Sequence, residues 1–253
     1  MQPTLKVKSS DATEAARREA AAERVLAAFG NGLPKTSLFC FFDDEDWKAL
    51  KEEMGASNRG VYTDLRRGTA WQRVAPYYLK ERLFIEGQRM FDCFIYLHGS
   101  TCSRAGSLTM TFAHELQHFV QQQTTPRMWA ASTLVTSLPN DVINALGLRW
   151  FDVPHKREAR IVSKRVAEKL LGPEVVAEYI KEKIAERVTE NDVVDWECIQ
   201  GLVTSAPYDL ARETRLLFSR LRNYREQVER SLKGYGDDPA FSGIDLDRLL
   251  EGS

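Results

Sequence analysis

No stretch of this sequence approaches the ~20 consecutive apolar residues that a membrane-spanning helix needs, so no membrane association is expected. Residues 1–10 hold no apolar core of the kind that marks a secretory signal peptide. Neither sign of charge prevails: 35 Lys and Arg stand against 36 Asp and Glu, a formal charge of −1. Such a balance argues against a general nucleic-acid surface or an anionic lipid surface. Cysteine is sparse and scattered, at Cys40, Cys93, Cys102 and Cys198, with no C-x-x-C pair. A disulfide framework is therefore not expected, and a reducing cytoplasm is the expected compartment. No internal repeat or low-complexity linker divides the chain. With 253 residues and 43% hydrophobic composition, it is long enough to bury a full core.

Histidine is equally sparse, with four in the chain, and two of them fall in His114-Glu115-Leu116-Gln117-His118. The pattern is H-E-x-x-H. In a helix, side chains four positions apart project from nearly the same angle, so both imidazoles can reach one metal ion. The glutamate beside the first histidine is then placed to act as general base on water. The competing structural reading is a pair of histidines on an ordinary amphipathic helix. The segment is helical by its own pattern: Leu108, Phe112, Leu116 and Phe119 form an apolar stripe, while Thr111, His114 and His118 mark another face.

Around this helix the pattern predicts an α+β chain, with strands early and helices late. Residues 1–10 read as disordered. Residues 11–29 are rich in Ala, Glu and Arg and read as a helix stopped by Gly30-Asn31-Gly32. Residues 37–42 (SLFCFF) read as a strand. Asp43-Asp44-Glu45-Asp46 then open a short helix ending near Met54, where acidic side chains suit the dipole. Residues 58–73 read as loop with short extended pieces. Residues 81–85 and 90–97 read as two strands joined at Glu86-Gly87-Gln88. Helices are expected over 108–122, 127–146, 154–171, 174–189, 192–203 and 207–232. By domain, 11–89 supplies the N-terminal helix and sheet strands, 90–171 the zinc-binding core, and 172–253 a helical subdomain.

A zinc site takes a third protein ligand, and the 154–171 helix offers one. Pro154 suits its first turn and Gly172-Pro173 stops it. Val162, Val166 and Leu170 recur at spacing four, and Glu158 falls on the same row one turn earlier. A carboxylate on a buried row needs a partner, and a metal is one. The alternative is a glutamate favoured by the dipole in the first turn. Ala159 leaves room for close packing against a neighbouring helix. His155, three residues before Glu158, shares its side of the helix. It is open as a pocket residue donating to an oxyanion, as a helix-capping group, or as the third ligand in place of Glu158. His98 ends the candidate strand and reads as a loop histidine.

These residues resemble a known family. His114-Glu115-Leu116-Gln117-His118, followed by Glu158-Ala159 opening an amphipathic helix (EARIVSKRVAEKLL), is similar to the zincin-like metallopeptidases of gluzincin type. The H-E-L-x-H pattern, then E-A and a helix ending in Leu-Leu, also resembles the small ImmA/IrrE-like intracellular peptidases. The similarity spans residues 90–171. It implies a zincin-like core built from a small N-terminal sheet and the motif helix, with a largely helical C-terminal half. It implies Zn²⁺ held by His114, His118 and Glu158, with Glu115 as general base for peptide-bond hydrolysis. His155, Tyr96 and Arg157 are the candidates for a second oxyanion donor. It further implies that a peptide or protein substrate docks as an added strand along segment 91–98, from Phe91 to His98.

Two readings from other classes stand beside this one. The first is a zinc-binding module that does not cleave, against which Glu115 speaks, since a structural site needs no base. The second is a helical interaction protein with an incidental motif. For it, Leu217, Leu221, Tyr224 and Val228 follow a 4-3-4 seam suited to a partner helix or to self-association. The competing expectation is that this seam packs within its own domain. The arginines interleaved with acids there read as a solvated face.

Overall fold

A computed structural model of the protein describes residues 3–43, 60–67, 83–85, 88–186, 190–236 and 238–251. The acidic helix start at 44–46 lies outside them. The fold is mixed α+β, and the chain forms two compact units. Residues 1–119 with 166–179 make the first, and residues 120–165 with 180–253 the second.

The first unit is organised by a four-stranded sheet. Its strands are β1 (Thr4–Lys8), β2 (Leu38–Asp43), β3 (Gly60–Asp64) and, after a two-stranded ribbon of β4 (Phe84–Ile85) and β5 (Gln88–Arg89), β6 (Cys93–His98). The order is β1-β2-β6-β3. β1 and β6 run parallel to β2, and β3 runs antiparallel to β6. Strands buried on both faces read as continuous apolar runs, and LFCFFD and CFIYLH are such runs; every residue of β6 is buried.

Alternation splits the two central strands into different faces. On one face Phe39, Phe41, Phe94 and Tyr96 stack, with ring centroids 6.1 Å apart for Phe39–Phe41, 5.9 Å for Phe39–Phe94 and 6.4 Å for Phe41–Tyr96. The other face carries Phe42 and Tyr62, which meet the motif helix.

Helix α1 (Ala12–Phe29) connects β1 to β2; its N-cap Asp11 accepts from the backbone N–H groups of Thr13 and Glu14. Helix α2 (Ala105–Thr124) carries the motif. Leu108, Phe112, Leu116 and Phe119 are fully buried, as their spacing predicted. Phe112 meets Phe42 edge-on at 5.0 Å, and Phe119 meets Tyr62 at 6.0 Å.

The second unit is helical: α3 (Pro126–Val135), α4 (Asn140–Ala145), the first part of α5 (Pro154–Leu171), the end of α6 (Pro173–Glu186), then α7 (Glu190–Gly201), α8 (Leu210–Arg220), α9 (Arg225–Lys233) and α10 (Leu246–Glu251). Its core joins Ala130, Leu134, Leu217, Phe218, Leu221, Val228 and Leu249. At the end of α5, Gly172 takes φ +92°, a conformation L side chains rarely adopt, and its N–H bonds Glu168 O at 3.0 Å.

Several expectations change. Residues 1–10, expected to be disordered, contribute β1, which pairs with β2 over five residues. The predicted hairpin of 81–85 with 90–97 is instead the short β4–β5 ribbon, and β6 pairs with β2 and β3. The predicted helix over 127–146 breaks before Pro139, and that over 207–232 breaks at a single 3-10 turn, Arg222–Tyr224. The seam Leu217, Leu221 and Val228 is buried in its own unit with Tyr224 packed against it, so it offers no face to a partner helix or a second copy. No helix among the described residues is long and apolar enough to cross a membrane. None of the four cysteines is in a disulfide.

The contact of Phe112 with Phe42 fixes α2 on the sheet. Phe112→Ala is expected to cost about 3–5 kcal/mol through lost burial and a cavity, read as a lower urea midpoint with an unchanged slope. A shift below about 1 kcal/mol would mean that the helix is held by something else.

Candidate metal and catalytic site

The apolar stripe sets the rotation of α2 and therefore the direction of its polar rows. Thr111 and Glu115 form one row, and His114 and His118 the next, with Gln121 continuing it one turn further. The two imidazoles converge. His114 Nε2 and His118 Nε2 lie 3.1 Å apart, with ring planes at 85°. Two nitrogens bound tetrahedrally to one zinc at ~2.0–2.1 Å stand about 3.3 Å apart, so this separation suits a shared ion. It equally suits an N–H···N hydrogen bond between neutral rings. His118 is 6% exposed and His114 is half-buried.

Glu115 is 9% exposed. Strand β3 passes directly over its row. A Cβ added at Gly60 would stand 3.0 Å from Thr111 Cγ2, 3.2 Å from Tyr96 O and 3.4 Å from Glu115 Cγ. A side chain here would press on Thr111 and on the backbone of Tyr96, so glycine suits this approach of strand to helix. The general-base candidate is therefore wedged between the histidine row and β3.

Glu158 sits in the first turns of α5. The carboxamide of Gln121 donates to Glu158 Oε2 at 2.7 Å and to His155 O at 2.9 Å. Gln121 is 1% exposed. Glu158 itself is half-buried, and the expected row is shifted: Val166 is buried, Val162 and Leu170 are half-buried, and Ala159, Ser163 and Ala167 are buried. Ala159 is fully buried, as a small residue on a packed face should be. Among the described residues, no group of three or more His, Cys, Asp or Glu side chains stands ready around one metal position. The histidine pair belongs to the first unit and Glu158 to the second.

His155 is 3% exposed and held from several sides. Its Nδ1 bonds Ser132 Oγ at 2.8 Å, its backbone N–H donates to the same Oγ at 3.0 Å, and Trp129 stands edge-on at 6.4 Å. The histidine joins the start of α5 to α3, and the group that caps this turn is Ser132 Oγ rather than the imidazole. Tyr96 lies on the sheet face opposite the one that meets α2, so it is not an oxyanion donor for the motif. Arg157 is half-exposed and faces Asp152 at 3.9 Å. Cys102 is fully buried, and its carbonyl accepts from Arg17 at 3.2 Å. His98, the last residue of β6, is 8% exposed rather than in an open loop.

Segment 91–98 is not a docking edge. β6 is bonded on one side to β2 and on the other to β3, so its backbone groups are used. Among the described residues the outer strands are β1 and β3. Sequence reading missed Gln121, although its position seven residues after His114 puts it on the histidine row. It also missed Gly60, for which a lone glycine opening a β-prone run was the available signal.

No protein-family model matches the chain, and no curated protein or solved structure shows significant similarity to it.

The glycine approach carries a direct test. Gly60→Ala is expected to destabilise the protein by about 1–3 kcal/mol, as overpacking does, because Tyr96 O is backbone and cannot give way. A substitution that leaves the urea midpoint unchanged or higher would show that β3 and α2 are not in close contact.

Proposed function

We propose that this protein is a zinc-dependent metallopeptidase with a zincin-like core of gluzincin type, working in the cytoplasm. The observation that carries the reading is the convergence of His114 and His118 on one point from successive turns of a buried helix, with a glutamate between them. His114 and His118 would hold Zn²⁺, and Glu158 would complete the donor set. The hydrogen bond from Gln121 supports Glu158, because metal-binding carboxylates are commonly oriented by an outer hydrogen bond.

Zinc in such a site supplies Lewis acidity toward water and the scissile carbonyl. Glu115 takes the proton from the attacking water as the oxygen adds to the carbonyl carbon. When the C–N bond breaks, the same carboxyl returns that proton to the leaving amine. Burial of Glu115 beside β3 keeps its carboxylate from swinging away, which lowers the reorganisation each transfer requires. A peptide substrate would add to the outer edge of β3, the strand beside Glu115, rather than to β6. A zinc-binding module without cleavage is the second reading, since the paired Nε2 atoms of His114 and His118 would hold a metal whether or not Glu115 acts on water.

Two measurements decide between these. Purified protein is expected to carry about one zinc per chain, and His114→Ala or Glu158→Ala near none, whereas His155→Ala retains it. Full zinc in His114→Ala would remove the site, and zinc lost only in His155→Ala would make it a three-histidine one.

Glu115→Gln keeps size and metal but cannot accept a proton. It is expected to lose turnover by a factor of about 10²–10⁴, read as new peptide termini in a treated cell lysate. Equal cleavage by wild type and variant would take Glu115 out of the mechanism.

A further inference from the structure

The second unit holds a cavity of about 240 Å³ between the start of α5, the face of α8 and the segment before each. Ligand sites for drug-sized molecules occupy roughly 300–1,000 Å³, so this one suits a smaller molecule. Its charged groups are unevenly satisfied. Asp152 is neutralised by Arg149, whose backbone N–H and Nε reach its Oδ2 at 3.3 and 3.0 Å. Arg157 comes no nearer than 3.9 Å to Asp152. Arg220 gives one N–H to Leu146 O at 2.6 Å. The Glu213 carboxylate has no hydrogen-bond or ion-pair partner among the described residues, and neither has the Tyr208 hydroxyl. Burial, then the nearby Glu213, push the Tyr208 phenol above its ordinary range, so it stays protonated. Apolar surface completes the wall: Leu148 is buried, but Leu216 is left 50% exposed.

We propose that this cavity binds a free α-amino acid with an apolar side chain of leucine size. Arg157 and Arg220 take the carboxylate, Glu213 takes the ammonium, and the side chain covers Leu216 and Leu148. A simple carboxylic acid would leave Glu213 facing the ligand without a counter-charge. A simple amine would meet two arginines. Only a zwitterion satisfies both, and charge-assisted contacts of this kind are about twice as strong as neutral ones. The site stands apart from the His114–His118 pair and does not depend on the peptidase reading.

Titration calorimetry of the full chain tests this with three ligands: L-leucine, L-leucinamide and 4-methylpentanoate. Leucine is expected to bind with a Kd of about millimolar or tighter, consistent with its few heavy atoms. Leucinamide, which lacks the carboxylate, and 4-methylpentanoate, which lacks the ammonium, should each bind about tenfold more weakly or worse. Arg157→Gln and Glu213→Gln, both at solvent-reached positions, should weaken leucine by a similar factor while melting as wild type does. Binding should persist in His114→Ala. No leucine binding, equal binding of either analogue, wild-type affinity in both cavity variants, or loss in His114→Ala would each overturn the proposal.

Discussion

Burial of one stripe of α2 determines what the motif can do. Leu108, Phe112, Leu116 and Phe119 lie fully buried, and Phe112 and Phe119 are fitted against aromatic rings of the sheet. A helix seated through rings of this size cannot rotate without opening voids, and a packed interior tolerates few of them. Rotation about the axis would turn both histidine rings away from their present direction. The i, i+4 spacing makes convergence possible, and the stripe makes it persistent. The motif is thus dependent on residues that take no part in its chemistry.

A second constraint acts at the far end of the same helix. The buried amide of Gln121 spends both its N–H groups on α5, at Glu158 and at the His155 carbonyl. Ser132 Oγ meets both the backbone N–H and the ring of His155. The opening turn of α5 leaves backbone N–H groups without intrahelical partners, and Ser132 satisfies one of them. Buried polar groups of this kind are costly unless fully paired. Removing Gln121 would thus take one donor from the Glu158 carboxylate and one from the His155 carbonyl, which ties the network to this pairing of helices.

Much of this was legible in the sequence, and the reasons differ by element. The helices at 105–124 and 154–171 announced themselves by their apolar spacing, and Pro154 and Gly172 mark the ends of the second, although its buried row includes Ala159, Ser163 and Ala167 while Glu158, Val162 and Leu170 are half-buried. The α+β class followed from apolar runs early and amphipathic helices late. β1 was not legible: TLKVK alternates weakly, and its strand state comes from pairing with β2, a residue range over thirty positions away that no local pattern reports. Strand order was invisible for the same reason. β6 reads as a strand, but nothing in CFIYLH says that both its edges are taken; its complete burial is the only local trace of a central position. The helical seam from Leu217 to Val228 shows the reverse limit. Periodicity identifies an apolar face and does not say whether the covering surface is another chain or the α3 helix of the same unit.

Gly60 joins these threads. β3 has its glycine opposite Leu97 and over the row of Thr111 and Glu115, where an added Cβ would stand 3.0 Å from Thr111 Cγ2 and 3.4 Å from Glu115 Cγ. The consequence reaches the chemistry. A buried glutamate on a helix surface samples several rotamers unless something fills the space beside its Cγ, and each rotamer moves the carboxylate by more than the few tenths of an ångström that proton transfer tolerates. Side-chain bulk at position 60 would displace that stem, whereas bulk at position 61 or 63 would point to the other face of the sheet. The surroundings of the proposed base thus include a backbone approach from a different strand, at the one residue of β3 without a Cβ.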